Sequence, residues 1–169
     1  WNSREQRSES LPTADGDVEE IVIAPGGRWV AIRRAGEQVQ LWDPRRPRAV
    51  TLIAAPGGRA LAFDAAGKQL ALAADCDIRV RDLATGRETR LQGHGAPVRA
   101  LAISPDGRTL ASGDHTPTLR LWNLPSGLPV GAWQIYLQSI SRLAFAPNGN
   151  TLAASDAEGN VQLWRADPR

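Results

Sequence analysis

The chain contains 169 residues, of which 42% are hydrophobic, enough for one ordinary domain with a sizeable core. Its 20 Lys and Arg residues nearly balance its 18 Asp and Glu residues, which leaves a formal net charge of +2. This composition argues against a disordered chain and against nucleic-acid binding driven by overall charge.

An internal repeat is the strongest signal in the sequence. Four short turns each end in a glycine, and their spacings are 40, 40 and 42 residues: Gly27, Gly67, Gly107 and Gly149. A second marker lies 14 or 15 residues beyond each of these glycines: Trp42, Arg81, Trp122 and Trp164. Because the two markers recur together, the chain is predicted to contain four copies of one supersecondary unit.

Between these markers the apolar residues alternate with polar ones, which predicts β-strands. The first strands are predicted at 18–23, 59–63, 98–103 and 140–145. The second strands are predicted at 29–32, 70–73, 110–112 and 152–155. The third strands are predicted at 39–42, 78–81, 119–122 and 161–164, and weaker fourth strands at 49–52, 88–91 and 129–133. Four short antiparallel strands in each unit of about 40 residues predict an all-β fold built from β-propeller blades.

The repeat also predicts how the chain is organised. Residues 1–16 are assigned to the outer strand of a preceding blade and a connection, followed by blade units at 17–53, 54–92, 93–134 and 135–169. The last unit is expected to lack its outer strand. An incomplete ring exposes apolar surface at both ends and needs closure. The favoured closure is by blades from another chain or fragment, with these units as the C-terminal part of a longer propeller. The alternatives are a second copy that closes the ring, or a four-bladed ring completed by residues 3–11.

The third unit carries the clearest family motifs. It contains Gly93-His94, the segment from Val98 to Gly113, and Leu119-Arg120-Leu121-Trp122-Asn123. Through these motifs the chain resembles the WD-repeat β-propeller family over residues 17–165, most specifically in its third and fourth units.

The resemblance implies a hydrogen-bonded set of His, Ser or Thr, Asp and Trp within a blade. It places His94, Ser112 and Trp122 in these roles in the third unit, with Trp42 and Trp164 as the corresponding tryptophans of the first and fourth. The position of the Asp is expected at Thr116 in the third unit and at the corresponding residues of the others: Gly36, Asp75 and Glu158. Arg81 replaces the Trp of the second unit, which predicts a less rigid second blade.

Residues that could carry catalysis or bind a cofactor are sparse. The single cysteine, Cys76, excludes an internal disulfide and a CxxC metal site, and predicts a reducing, cytoplasmic location. The two histidines, His94 and His115, belong to no metal-ligand motif. No Gly-rich segment opens a helix, so no phosphate cradle is expected. We therefore predict no enzymatic activity, no metal and no cofactor.

What remains is a binding surface. The resemblance implies that a protein partner binds the propeller face that carries the loops between blades and the turns between second and third strands. The residues at the starts of the first strands and in those turns form the expected contact set: Glu19, Arg33, Arg59, Asp75, Arg99, His115, Ser141 and Asp156. Arg59 and Arg99 are favoured because arginine is enriched at interface hot spots.

The predicted function is a non-catalytic protein–protein interaction scaffold or sensor module. The alternative is the C-terminal regulatory propeller of a larger signalling enzyme, such as a kinase, protease or nucleotide-switching protein. A hydrolase or lectin would need carboxylates or aromatic platforms in the channel, where the first strands place mostly Ala, Ile, Leu and Val. Neither a membrane span nor a nucleic-acid site is expected. The uncharged run 121–141 is broken by Pro and Gly, and the basic run 45–48 holds no aromatic residue.

Overall fold

A computed structural model describes residues 17–35, 38–46 and 50–166 of the chain. In these ranges the chain forms fifteen β-strands and no helix, which confirms the predicted all-β fold. The strands make four antiparallel sheets, called blades 1 to 4 below. The outer strand that was predicted within residues 1–16 lies outside the described residues.

Each blade is a meander in which strands adjacent in sequence are hydrogen-bonded neighbours. Blade 1 contains β1 (Val18–Ile23), β2 (Val30–Arg34), β3 (Gln38–Trp42) and β4 (Val50–Ala54). Blade 2 contains β5 (Leu61–Phe63), β6 (Gln69–Ala74), β7 (Asp77–Asp82) and β8 (Glu88–Gln92). Blade 3 contains β9 (Val98–Ile103), β10 (Thr109–Asp114), β11 (Thr118–Asn123) and β12 (Leu128–Gln134). Blade 4 contains β13 (Arg142–Phe145), β14 (Thr151–Ser155) and β15 (Val161–Arg165).

The turns that end in glycine close the hairpins between first and second strands. In blade 3 the backbone at Gly107 has φ of 71°, a left-handed conformation that glycine adopts without steric cost. The Ser104 hydroxyl accepts a hydrogen bond from the Thr109 amide at 2.9 Å and donates to the Asp106 carboxylate. That hydroxyl, helped by the Arg108 amide, holds the pKa of Asp106 below its usual value. Side-chain bonds within the turn therefore set the strand register.

The hydrophobic core lies between the blades. One cluster joins blades 1 and 2 through residues such as Val39, Ile53 and Leu72. The next joins blades 2 and 3 and includes Ile78 and the fully buried Trp122. A third joins blades 3 and 4 around the buried residues Leu119, Ile140 and Leu152. Each blade is therefore stabilised chiefly by its neighbours, as in other repeat architectures.

The connections between blades bring equivalent parts of neighbouring blades to one edge. The Asp75 carbonyl, in the turn after β6, accepts a hydrogen bond from the Val98 amide at 2.9 Å. The Asp114 carbonyl accepts in the same way from the Ile140 amide at 3.4 Å. The turns between second and third strands therefore lie against the start of the next blade's first strand. We call this edge of the blades the upper rim, and the opposite edge the lower rim.

Two first strands begin later than the alternation predicts. β5 begins at Leu61 rather than 59, and β13 begins at Arg142 rather than 140. The entry to β5 passes close to the neighbouring strand, because a Cβ on Gly58 would lie 2.5 Å from the carbonyl oxygen of Ala73. Only glycine fits there, and the ladder starts after it.

Candidate functional site

The polar network of blade 3 is built from two strands and the segment that precedes β9. The His94 ring places Nε2 2.7 Å from the Ser112 hydroxyl and Nδ1 2.8 Å from the Asp114 carboxylate. The Trp122 indole Nε1–H donates to the same Ser112 oxygen at 2.8 Å. All four side chains are buried, so each hydrogen bond is made away from solvent.

The network is satisfied with a neutral histidine. If Nδ1–H donates to the acceptor-only Asp114 carboxylate, Nε2 is left as an acceptor for the Ser112 hydroxyl hydrogen. The Ser112 oxygen then accepts from Trp122, and no buried hydrogen lacks an acceptor. Burial lowers the pKa of His94 below its ordinary value, against the opposing effect of Asp114. The network therefore stabilises the blade, and its polar side chains are engaged in hydrogen bonds with one another.

The structure corrects the expected position of the acidic member of this network. Asp114 fills it, whereas Thr116 donates its backbone amide to Asp114 Oδ1 at 2.8 Å. The expectation for Thr116 was therefore wrong by two residues. Asp156 occupies the matching place in blade 4, 42 residues later, instead of Glu158. In blade 2 the place falls on Ala74 rather than Asp75, while Gly36, expected there in blade 1, lies outside the described residues.

The tryptophan positions differ between blades. Trp122 is fully buried, whereas Trp42 and Trp164 are half-buried. Trp164 packs against the cluster between blades 3 and 4. In blade 2 Arg81 replaces the tryptophan and its guanidinium lies 2.7 Å from the Glu88 carboxylate across the strand pair.

A cavity of about 460 Å³ lies at the upper rim, and we call it the rim cavity. Its lining residues are Glu19, Arg33, Gly57, Gly58, Arg59, Arg99, Ser141 and Arg142. Five of the eight predicted contact residues therefore share one cavity. A second cavity of about 240 Å³ follows the inner strands and shares Arg59, Arg99, Ser141 and Arg142 with the first.

Two of these side chains are aimed by β-bulges. Between β1 and β2, Val18 pairs with Arg34 and Glu20 with Arg33, so Glu19 is the extra residue. Between β9 and β10, Val98 pairs with Asp114 and Ala100 with Gly113, so Arg99 is the extra residue. A bulge bends its strand and redirects the side chain. The same irregularity thus places Glu19 and Arg99 at equivalent points of blades 1 and 3.

The charges of the cavity are unevenly paired. The Arg33 guanidinium contacts the carboxylates of both Glu19 and Glu20. Among the described residues, no carboxylate forms an ion pair with Arg59, Arg99 or Arg142. The side opposite Glu19 is therefore electropositive.

The other three predicted contact residues do not line this cavity, although Asp75 is next to it, 3.6 Å from a Cβ placed on the lining residue Gly57. Asp75 and His115 are exposed in upper-rim turns, and Asp75 adopts a left-handed backbone with φ of 54°. Asp156 is buried at 6% exposure, and its carboxylate accepts from the Asn160 side chain at 2.8 Å and from the Glu158 amide at 3.1 Å. The Asn160 side chain, first among these donors, holds the pKa of Asp156 below its usual value. Asp156 thus stabilises the turn after β14, and its role as a partner contact stays a prediction.

Three of the residues that line the cavity were not predicted from the sequence. Arg142 follows the predicted Ser141 and pairs with Ser155 as Ala100 of blade 3 pairs with Gly113, so the repeat places an alanine at the equivalent position and gives no signal for an arginine. Gly57 and Gly58 precede the first strand of the second unit and were not predicted to be part of the binding surface. Their place in the wall follows from the close approach to β6, which alternation alone does not reveal.

Nothing in the described part of the chain groups three or more His, Cys, Asp or Glu side chains as a metal site would. Cys76 is partly exposed, and burial together with Asp75 and Asp77 raises the pKa of its thiol. A raised pKa lowers the thiolate fraction and with it the reactivity of the thiol. In the ranges that the structure describes, no helix is long and apolar enough to cross a membrane.

The first strands of successive blades, β1, β5, β9 and β13, contact one another, as the inner strands of β-propeller blades do. Comparison with known proteins agrees: residues 86–123 and 133–165 match the WD40 model, described as WD domain, G-beta repeat. These two segments of the chain are therefore WD40 repeats.

The relatives are longer than this chain. An uncharacterized WD repeat-containing protein of Synechocystis sp. is 31% identical over 125 residues, which cover 70% of this chain and 35% of the relative. The serine-threonine kinase receptor-associated protein of Dictyostelium discoideum is 30% identical over 125 residues, covering 72% of this chain and 42% of that protein. The solved structure titled "Structure of U3-55K" matches with a TM-score of 0.77 at 17% identity, over 92% of this chain and 50% of that chain. The chain thus spans half or less of the length of these relatives.

Proposed function

We propose that this chain is a non-catalytic interaction module that binds a protein partner at its upper rim. The observation that carries the proposal is the rim cavity, which gathers Glu19, Arg33, Arg59, Arg99 and Ser141 from four blades. Loops and strand ends held by a rigid scaffold are where binding residues concentrate. The scaffold is rigid here because each blade packs on its neighbour and the interblade hydrogen bonds end at this rim.

The family supports the same proposal in general terms. WD-repeat propellers typically mediate protein–protein interactions, and their members are generally non-catalytic scaffolds. Within the described residues, the buried polar side chains of blade 3 are hydrogen-bonded to one another. Catalysis by another part of a larger signalling enzyme, with this chain as its regulatory propeller, is the alternative form of the proposal. The cytoplasmic location stays a prediction.

A steric block of the upper rim tests the proposal without changing the arginines. The variant His115→Trp/Ala157→Trp adds bulk at two exposed residues of the turns that follow β10 and β14. Proteins captured by the intact tagged protein are quantified by mass spectrometry for the wild type and this variant. We expect a defined set of proteins to be lost, because their binding surface is obstructed.

The matched control carries the same added bulk at the lower rim. Ala65→Trp/Ala84→Trp changes two exposed residues in the turns after β5 and β7. This variant is expected to retain the set, with an unchanged far-ultraviolet dichroism spectrum for both variants. Equal capture by the two variants would show that the upper rim is not the binding surface.

We also propose that the apolar end faces of the arc are covered by further blades, from another segment or another chain. On blade 1, Ile21 and Ile23 are 58% and 63% exposed, and on blade 4, Val161 and Leu163 are 65% and 53% exposed. Comparable faces inside the arc are buried in the interblade clusters. The greater length of the relatives is in keeping with additional blades.

Charged substitutions on one end face test this second part. Val161→Lys/Leu163→Lys in the intact protein should lower the melting temperature, because lysines would have to be buried against the next blade. The control, Leu128→Lys/Val130→Lys, changes two equally exposed apolar residues on the outer strand β12. A compact single-copy particle of the 169-residue chain, with equal melting temperatures for both variants, would contradict coverage and favour a closed four-bladed ring.

A further inference from the structure

Three of the arginines that line the rim cavity form no ion pair with a described carboxylate. We infer that it recognises an anionic group, a carboxylate or a phosphate, on an acidic peptide segment of the partner. The inference rests on the proposed function and specifies the chemistry of the partner. Its anchors are the guanidinium groups of Arg59, Arg99 and Arg142, which line the cavity from three successive blades.

Ion pairs neutralise the arginine on one side of the rim cavity, whereas the arginines on the other side form none among the described residues. Arg33 contacts both Glu19 and Glu20, so its charge is already balanced. Among described residues, Arg59, Arg99 and Arg142 form no ion pair, and Arg142 makes only a side-chain bond to the Ser141 carbonyl at 3.0 Å. An anion would therefore lie over blades 2 to 4, away from the carboxylates of blade 1.

Arg99 is the lining residue whose side chain includes a donor without an acceptor. Its Nε atom is buried and has no hydrogen-bond partner within the described part of the chain, as is also true of Arg120 Nε, which does not line the cavity. A buried donor without an acceptor is unfavourable, because it has lost its hydrogen bond to water without gaining another. Arg99 is the extra residue of the bulge between β9 and β10, and it lines the cavity. A carboxylate or phosphate has two or more acceptor oxygens and can take a guanidinium in a bidentate fashion.

The lining of the cavity favours a peptide over a nucleic acid. Of the eight residues that line it, none is aromatic, so it offers no platform on which a base could stack. The carboxylates of Glu19 and Glu20 border the positive half and would repel a continuous phosphate backbone. A short acidic segment can place one or two anionic side chains on the arginines and leave the rest of its chain on the rim.

The test measures binding of labelled peptides to the intact protein by fluorescence anisotropy. Three peptides of equal length carry glutamate, phosphoserine, or glutamine at the same positions. Arg59→Gln/Arg99→Gln removes two of the free charges. The matched control, Arg87→Gln/Arg108→Gln, removes the same charge from two exposed lower-rim residues.

We expect the glutamate or phosphoserine peptide to bind at least about tenfold more tightly than the glutamine peptide, and the better of the two identifies the anion. Arg59→Gln/Arg99→Gln should weaken that binding about tenfold or more, and the control less than about twofold, at fixed ionic strength. Equal binding of all three peptides, or equal losses in both variants, would overturn the inference. Tighter, Arg99-dependent binding of a single-stranded oligonucleotide would overturn it in favour of nucleic acid.

Failure of this inference is separable from failure of the proposed function. If the peptides do not discriminate but His115→Trp/Ala157→Trp still loses the captured proteins, the rim binds partners by other contacts. If that steric variant keeps all captured proteins, the proposed function itself fails, whatever the peptides do.

Discussion

Blades 2 and 3 have the same strand order but fill equivalent positions with opposite chemistry. The second and third strands pair in the same register, Leu70 with Arg81 in blade 2 and Leu110 with Trp122 in blade 3. Two residues further along the second strands, Leu72 stands where blade 3 has Ser112. Leu72 packs in the cluster between blades 1 and 2, whereas Ser112 is the centre of a polar network.

The comparison shows which part of the repeat determines the blade. Both blades keep alternating apolar residues and fully buried leucines, Leu70 in blade 2 and Leu110 in blade 3. Of these two blades, blade 3 alone has the buried His, Ser, Asp and Trp network. The alternation and the burial between blades are therefore sufficient for the four-stranded meander, and the network is one of two ways to fill its centre.

Removal of the tryptophan from blade 3 is expected to have the largest effect. Trp122 is 1% exposed and contributes to the cluster between blades 2 and 3. Trp122→Ala should lower the free energy of unfolding by about 3–5 kcal/mol, as for other buried aromatic residues. The equivalent change in blade 2, Arg81→Ala, should cost about 1 kcal/mol or less because that ion pair is partly exposed. Urea denaturation measures both, and similar costs would contradict the comparison.

Leu72 and Ser112 occupy the same central position in blades 2 and 3, and their replacement should have the next largest effect. Leu72→Ala leaves a cavity in blade 2 and should cost about 2–5 kcal/mol. Ser112→Ala creates little cavity but removes the partner of the Trp122 indole and of His94, at about 1–3 kcal/mol. The same denaturation experiment ranks the two variants. A larger loss for Ser112→Ala would mean that the polar network contributes more than apolar packing does.

Between pH 7 and 5, the pH dependence of the free energy of unfolding should come mainly from His94 in blade 3. Burial holds the pKa of His94 below the ordinary 6.5, so the unfolded chain takes up a proton on this residue before the folded chain does. Stability should therefore fall as the pH drops below about 6.5, with a slope of at most about 1.4 kcal/mol per pH unit. His94→Gln should flatten this slope between pH 7 and 5, and His115→Gln should retain it. An unchanged slope in His94→Gln would show that the pKa of His94 is the same in the folded and the unfolded chain, and would contradict the prediction.

The sequence predicted the fold because its signals repeat. Alternation and the glycine turns recur in every unit, so an error in one unit is corrected by the others, and the four-sheet arrangement is confirmed. The acidic member of the network was misplaced at Thr116 because the repeat fixes the strands but not the last residue of β10. Hydrogen bonding selects Asp114 there, and only coordinates show it.

The candidate site was predictable only in outline. Equal spacing identified Glu19, Arg59 and Arg99 as neighbours on one rim, because first strands of successive blades start at the same edge. The bulges that aim Glu19 and Arg99 leave no mark in the apolar pattern. Arg33 forms ion pairs with two carboxylates, whereas Arg59 forms none among the described residues. This difference depends on side-chain placement, which the sequence does not specify.

The smallest expected effect concerns the ion pair that replaces the tryptophan in blade 2. The side chains of Arg81 and Glu88 are 23% and 32% exposed, so water and salt screen their attraction. A double-mutant cycle of Arg81→Gln and Glu88→Gln should give a coupling of about 0.2–1 kcal/mol at low salt. The coupling should shrink in about 1 M salt, where the Debye length is about 3 Å. A larger coupling that survives salt would mean that this pair supports blade 2 as the buried network supports blade 3, and the contrast between the two blades would disappear.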